Sequence, residues 1–94
     1  MTVLVIRHRV QDFERWKVIF DEDASIRQAH GSRGERVFHD VADADEVLVY
    51  LEWDAAERAQ LFARSNDLRD AMVRSGVVDR PDVWILKEMD RIAF

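Results

Sequence analysis

The chain of 94 residues has no cysteine, one proline and three glycines. Without cysteine there is no disulfide framework, no thiolate nucleophile and no thiolate metal site. Gly31, Gly34 and Gly76 are too scattered to form a phosphate-cradling loop, and no G-x-S-x-G elbow or Ser/His/Asp signature occurs. No apolar run approaches the roughly 20 residues of a membrane span. Nor does the start read as a signal peptide, which needs a basic segment, an apolar core and a small-residue cleavage site. A basic stripe is missing too. Lys and Arg number 14 against 19 Asp and Glu, interleaved, for a net charge of −5, which argues against a nucleic-acid partner. No repeat or low-complexity stretch is present. A cytoplasmic location is the expectation that these absences leave.

What is present is a globular composition: 48% hydrophobic residues and nine aromatics, three of them Trp. The length suits one domain, residues 1–94. So small a domain has a thin stability margin, and a sheet covered on one side only will seek a partner subunit.

Residues 2–10 alternate and are rich in Val and Ile, as in a strand. Across "QDFERWKVIFDEDASIRQAHG" the period changes. Phe13, Trp16, Phe20 and Ala24 share a helical stripe, flanked by Ile19 and Ile26, with Asp12 as N-cap and Gly31 as the stop. "RGERVFHDV" and "EVLVYLEW", joined by the polar "ADADE", read as an antiparallel hairpin. Asp54 and Glu57 have the spacing of a capping box that starts a second helix. That helix breaks near Ser65 and ends at Gly76, with Ala59, Phe62, Leu68, Ala71 and Met72 inward. "DVWILKEM" after Pro81 is the last strand. The order β-α-β-β-α-β predicts a ferredoxin-like α+β fold: one four-stranded antiparallel sheet with helices on one face. A Rossmann-type flavin or nicotinamide enzyme is excluded by length and element order.

Side chains alternate across strands, so parity sorts them into two faces. One set is Leu4, Ile6, His8 and Val10; Val37, His39 and Val41; Val47, Val49, Leu51 and Trp53; Val83, Ile85, Lys87 and Met89. It is nearly all apolar and belongs under the helices. The other set mixes Val3, Val5, Phe38, Leu48, Tyr50, Trp84 and Leu86 with Arg7, Arg9, Arg36, Asp40, Glu52 and Glu88. Apolar groups this numerous on a free face mark an interface. The expectation is a homodimer packed sheet to sheet, a dimeric α+β barrel, with Arg7, Arg9, Phe38, Tyr50, Glu52, Trp84, Leu86 and Glu88 at the seam.

His8 is then the most informative polar residue, because "VLVIRHRV" places it beneath the helices among Val, Ile, Trp and Phe. Imidazole changes charge near neutrality, so in a pocket it could move a proton as general acid or base. Trp16, Phe20 and Trp53 could line an apolar cavity around it, with His39 and Lys87 as further polar groups that orient a substrate. Lys17 and Arg27 flank the helix stripe and could reach the cavity mouth. His30, in the last turn of its helix, is explained by the helix dipole. The three histidines lack metal-ligand spacing, so no metal and no cofactor are expected.

"IRHRVQDFERWKVIFDE", "RVFHD", "EVLVYLEWD", "FARSNDLRDAM" and "SGVV" together resemble a group of small bacterial proteins of the dimeric α+β barrel superfamily, over nearly the whole chain. That superfamily includes antibiotic-biosynthesis monooxygenases, polyketide cyclases and haem-degrading monooxygenases. The resemblance implies a homodimer with a pocket between helices and sheet. Its cofactor-free, quinone-forming members use an Asn, a Trp and an Arg around the substrate, where this chain offers His8. Its haem-degrading members need a His on the second helical segment, where this chain has Met72. The function expected is binding of a hydrophobic, aromatic or polyketide-like small molecule by a cofactor-independent cyclase, dehydratase or isomerase with His8 as acid/base. The alternatives are a cofactor-free monooxygenase and a non-catalytic ligand-binding or stress-associated dimer.

Overall fold

A computed structural model describes residues 1–94. Eight elements follow one another: β1 (Thr2–Arg9), α1 (Phe13–Glu22), α2 (Ala24–His30), β2 (Ser32–His39), β3 (Glu46–Trp53), α3 (Ala56–Ala63), α4 (Asn66–Ser75) and β4 (Asp82–Lys87). The strands form one antiparallel sheet in the order β2-β3-β1-β4. This is the ferredoxin-like βαββαβ arrangement, with each helical segment split in two. No helix is long and apolar enough to cross a membrane.

The register bears out the sorting by parity in the paired strands. Leu4 lies opposite Leu51 and Ile85, Ile6 opposite Val49 and Val83, and His8 opposite Val47. These alternate positions join Trp16, Trp53, Ala59 and Phe62 in the core beneath the helices. A β-bulge between Ser32 and Gly34 resets the alternation at the start of β2 and brings Ser32 opposite Trp53; beyond it Glu35, Val37 and His39 keep one parity, with Glu35 opposite Leu51. Val41 and Met89 do not join the inward set. Val41 is fully exposed in the turn after β2, because the Asp40 carboxylate accepts from the Ala42 N–H at 2.8 Å and bends the chain. Met89 lies past the end of β4, where β1 has no residues left to pair.

The break near Ser65 is present. The Ser65 hydroxyl accepts from the Leu68 N–H at 3.1 Å and starts α4. The first helical segment, expected to be continuous to Gly31, is instead interrupted at Asp23. There the Arg27 guanidinium donates to the Phe20 carbonyl at 2.8 Å, taking an acceptor that the N–H of residue 24 would use in an unbroken helix. The Asp54–Glu57 capping box does not form either. Ala55 is the N-cap of α3, and the Asp54 carboxylate pairs with Arg58 at 2.8 Å.

Gly31 ends α2 with φ 118°, and a Cβ there would lie 2.7 Å from Asp54 Oδ1. The left-handed turn requires glycine, and a side chain there would also have to displace the ends of Asp54 and Arg58. Gly31→Ala is therefore expected to lower stability by about 1–2 kcal/mol in urea unfolding. A loss of only a few tenths would mean that the α2–β2 junction relaxes freely.

Candidate functional site

A cavity of about 50 Å³ lies between the sheet and the helices. Its floor is Ile6 and His8 from β1 with Val49 and Leu51 from β3. One wall is Trp16, Ile19 and Phe20 of α1, continued by Asp23 and by Ile26 and Arg27 of α2; the other is Phe62 of α3 with Asp67, Leu68, Ala71, Met72 and Ser75 of α4. Trp16 stacks on Phe20 with centroids 4.9 Å apart and meets His8 edge-on at 5.6 Å. The i, i+4 spacing of Trp16 and Phe20 puts both on the buried stripe of α1.

Among the polar side chains lining this cavity, all but one are engaged by the protein itself. Arg27, only 6% exposed, makes a bidentate pair with Glu35 and lies 3.6 Å over the Phe20 ring. Asp23 accepts from Arg74 at 2.7 Å, and Asp67 pairs with His30 at 2.8 Å. The Ser75 hydroxyl donates to the Ala71 carbonyl at 2.6 Å. His8 is 3% exposed, and neither Nδ1 nor Nε2 has a hydrogen-bond partner. Burial pushes its pKa down to about 4, with Arg7 lowering it further and Asp79 and Glu46 opposing. At neutral pH His8 is thus an uncharged imidazole with one N–H and one lone pair free.

Of the residues expected at a substrate site, His8, Trp16 and Phe20 meet at this cavity, and Arg27 reaches it as well. Trp53, His39 and Lys87 do not line it. Trp53 is buried against Phe62, with centroids 5.2 Å apart. His39 is an exposed ring set edge-on to Phe13, its Nδ1 2.9 Å from the Asp40 carbonyl. Lys87 is exposed at the end of β4. Lys17 pairs with Asp21 one turn along α1. Asp23, Glu35 and Asp67 were not singled out from the sequence; Glu35 shares the parity of Val37 and His39 and reaches the site through its pair with Arg27. No three His, Asp or Glu side chains group so as to hold a metal ion.

The opposite sheet face carries Phe38, Trp84 and Leu86, exposed by 50%, 45% and 48%. At one end Arg7 pairs with Glu46, Asp79 and Asp82, and Arg9 with Asp43 and Glu46. Asp79 also accepts from the Arg9 N–H at 2.8 Å, which with Arg7 holds its carboxyl below the usual range. Both arginines of the opening strand are thus satisfied within the chain. Glu88 pairs with Arg91, and the Arg36 guanidinium lies 5.5 Å from the Tyr50 ring centre.

No family model and no curated protein matches the chain. Solved structures do. An antibiotic biosynthesis monooxygenase superposes with a TM-score of 0.72 at 8% identity, over 96% of this chain and 100% of its own. The chain has the antibiotic biosynthesis monooxygenase fold. A variant of SnoaB, a cofactor-independent oxygenase from Streptomyces nogalater, matches with a TM-score of 0.76 at 10% identity, over 97% of this chain and 95% of its own. Rv0793 from Mycobacterium tuberculosis matches at 0.68 and 12% identity, over 99% and 100%. In this fold the space between helices and sheet is the cavity that His8 floors.

The lowered pKa of His8 makes stability depend on pH. The unfolded chain takes up a proton near the ordinary 6.5 and the folded one only near 4. The contribution is fully present above 6.5 and is lost as pH falls from there to about 4, at a slope of about 1.4 kcal/mol per unit. His8→Leu is expected to remove this slope and to be at least as stable as the parent at pH 7, because it deletes an unpartnered buried polar group. Urea midpoints from pH 7 to 4 check both; an identical slope in parent and variant would refute the assignment.

Proposed function

We propose that the chain is a homodimeric, cofactor-independent enzyme that moves a proton on a small hydrophobic molecule, with His8 as the base and Trp16 and Phe20 holding the substrate. The observation that carries this reading is the neutral, unpartnered imidazole on the floor of an otherwise self-satisfied apolar cavity. A lone pair with no protein partner is available to an enol or an acidic C–H.

A pKa near 4 makes free His8 a weak base. The bound substrate changes that balance. When the proton passes to imidazole, an enolate and an imidazolium form side by side in a low-dielectric site, and each stabilises the other. The cavity thus favours the charge-separated product of the transfer over either ion alone. Positioning the carbon acid against the ring supplies the rest. From the enolate, closure onto an internal carbonyl, loss of water or return of the proton elsewhere gives a cyclase, dehydratase or isomerase. Oxygenation is the second reading, favoured by the shared fold with the cofactor-independent oxygenase SnoaB. An enolate of an electron-rich aromatic can itself reduce dioxygen. His39, Lys87 and Trp53 belong to this reading only if the walls rearrange around a ligand.

The open sheet face supports the homodimer reading. Val5, Leu48, Tyr50, Phe38, Trp84 and Leu86 form an apolar strip on it, and stacking two such faces would bury the strip and close a barrel. Arg7, Arg9, Glu52 and Glu88 frame it with both signs of charge.

Two outcomes are expected. In assays of hydroxyaromatic and polyketide-like compounds under air and under nitrogen, His8→Ala abolishes turnover without changing the association state; undiminished turnover would sink the role of His8, and loss of parent activity under nitrogen would select oxygenation. Trp84→Glu yields a monomer by sedimentation velocity at micromolar protein, whereas a parent that is itself monomeric would remove the dimer.

A further inference from the structure

The cavity is a slot whose walls are packed together where α1 meets α4 and only tied by side chains between α2 and α4. α1 and α2 form one, α4 most of the other, and between α2 and α4 the side-chain links are an Arg–Asp ion pair and a His–Asp hydrogen bond. Arg74, in the last turn of α4, donates to Asp23 at 2.7 Å; His30, at the end of α2, pairs with Asp67 in the first turn of α4. The pairs join opposite ends of α2 and α4, so the helices run antiparallel along the slot. Ile26 of α2 lines the cavity and is still 38% exposed, which places the mouth between these helices. A cavity of about 50 Å³ holds a few water molecules and no aromatic ligand until the mouth widens.

Asp23 has a second possible use. It is the N-cap residue of α2, yet its side chain makes no capping hydrogen bond, because the carboxylate is turned to Arg74. An N-cap Asp ordinarily accepts from the N–H two or three residues on. The Ile26 N–H already donates to the Asp23 carbonyl at 3.1 Å, so the carboxylate has two exclusive partners, Arg74 across the slot or the Ser25 N–H of α2.

We propose that Asp23 and Arg74 latch the His8 cavity, and that opening exchanges their ion pair for an Asp23 cap on α2, letting α2 swing from α4 without fraying. The chain is already broken at Asp23, so the hinge lies at the residue that changes partner. Asp67–His30 is the second tie at the far end. The latch rests on the reading that the cavity admits a ligand, but it can be read out with no substrate.

The probe is diethyl pyrocarbonate, which acylates neutral imidazole nitrogen. His8 can react only while the cavity is open; exposed His39 is the internal control. Labelling is followed at pH 7 by peptide mass spectrometry. Arg74→Ala is expected to speed His8 labelling about threefold, the scale of a lost partly exposed ion pair, with His39 unchanged and Arg74→Lys close to the parent. Raised salt should speed labelling in the parent and not in Arg74→Ala, because it screens the same pair. Asp23→Asn, which still caps, should open the cavity and keep the α2 amides slow to exchange; Asp23→Ala should open it and fray α2. Equal His8 labelling in parent and Arg74→Ala overturns the latch. So does acceleration matched by core amide exchange, which would mean labelling through global unfolding. Equal α2 exchange in the two Asp23 variants overturns the change of partner. Gated labelling of a chain that turns over no compound would count against the chemistry and leave the latch standing.

Discussion

A buried imidazole with neither nitrogen hydrogen-bonded is the constraint around which this structure is arranged. Desolvating a polar group without a partner costs on the order of 1–3 kcal/mol, a large share of what a chain of this size can hold. The fold could have avoided it, since the inward neighbours of His8 along β1 are Leu4 and Ile6. It surrounds the ring with Trp16, Phe20, Ile6 and Val49 and ties every other polar group of the cavity to a protein partner. Free hydrogen-bonding capacity in the cavity is thereby concentrated on one side chain. The same burial that lowers its pKa sharpens its response to a ligand, because a charge arriving in that cavity is poorly screened.

The sheet divides the labour. On the helix side, cross-strand pairs such as Leu4–Leu51 and Ile6–Val49 give the floor rigidity, and His8 inherits it from its place in the most central strands. On the other side the apolar groups stay half exposed while the arginines flanking His8 in sequence lock β1 to the 43–46 turn and to the start of β4. Arg7 and Arg9 thus fix the strand that carries His8 from the face opposite the cavity.

Much of this was legible in the sequence. Period-2 alternation in residues 2–10 and 46–53, and the period change at Phe13, sufficed for the element order and for which face His8 would occupy. Ser65 announced the α3–α4 break because its hydroxyl acts locally. What escaped depended on side chains competing for one another or for backbone groups, near and far in the chain. Nothing local in "FDEDASIRQ" marks Asp23 as a break, since its cause is a guanidinium reaching back to Phe20 and a carboxylate drawn to Arg74, 51 residues away. Glu35 shares the inward parity of Val37 and His39, but only its pair with Arg27 makes it a site neighbour. Asp54 looked like a cap until Arg58 took its carboxylate. His39 and Lys87 share the parity of the helix face, but they sit where the strands run out from under the helices.

The central claim is that His8 is a neutral base in a working cavity. It is tested most directly by titrating the His8 ring by NMR, alone and with a panel of hydroxyaromatic compounds. The account predicts a pKa near 4 in the free protein and a clear rise on adding a compound that seats an acidic hydroxyl or carbon acid against the ring. A ring titrating near 6.5 and blind to every compound would contradict it and leave the chain a scaffold of this fold.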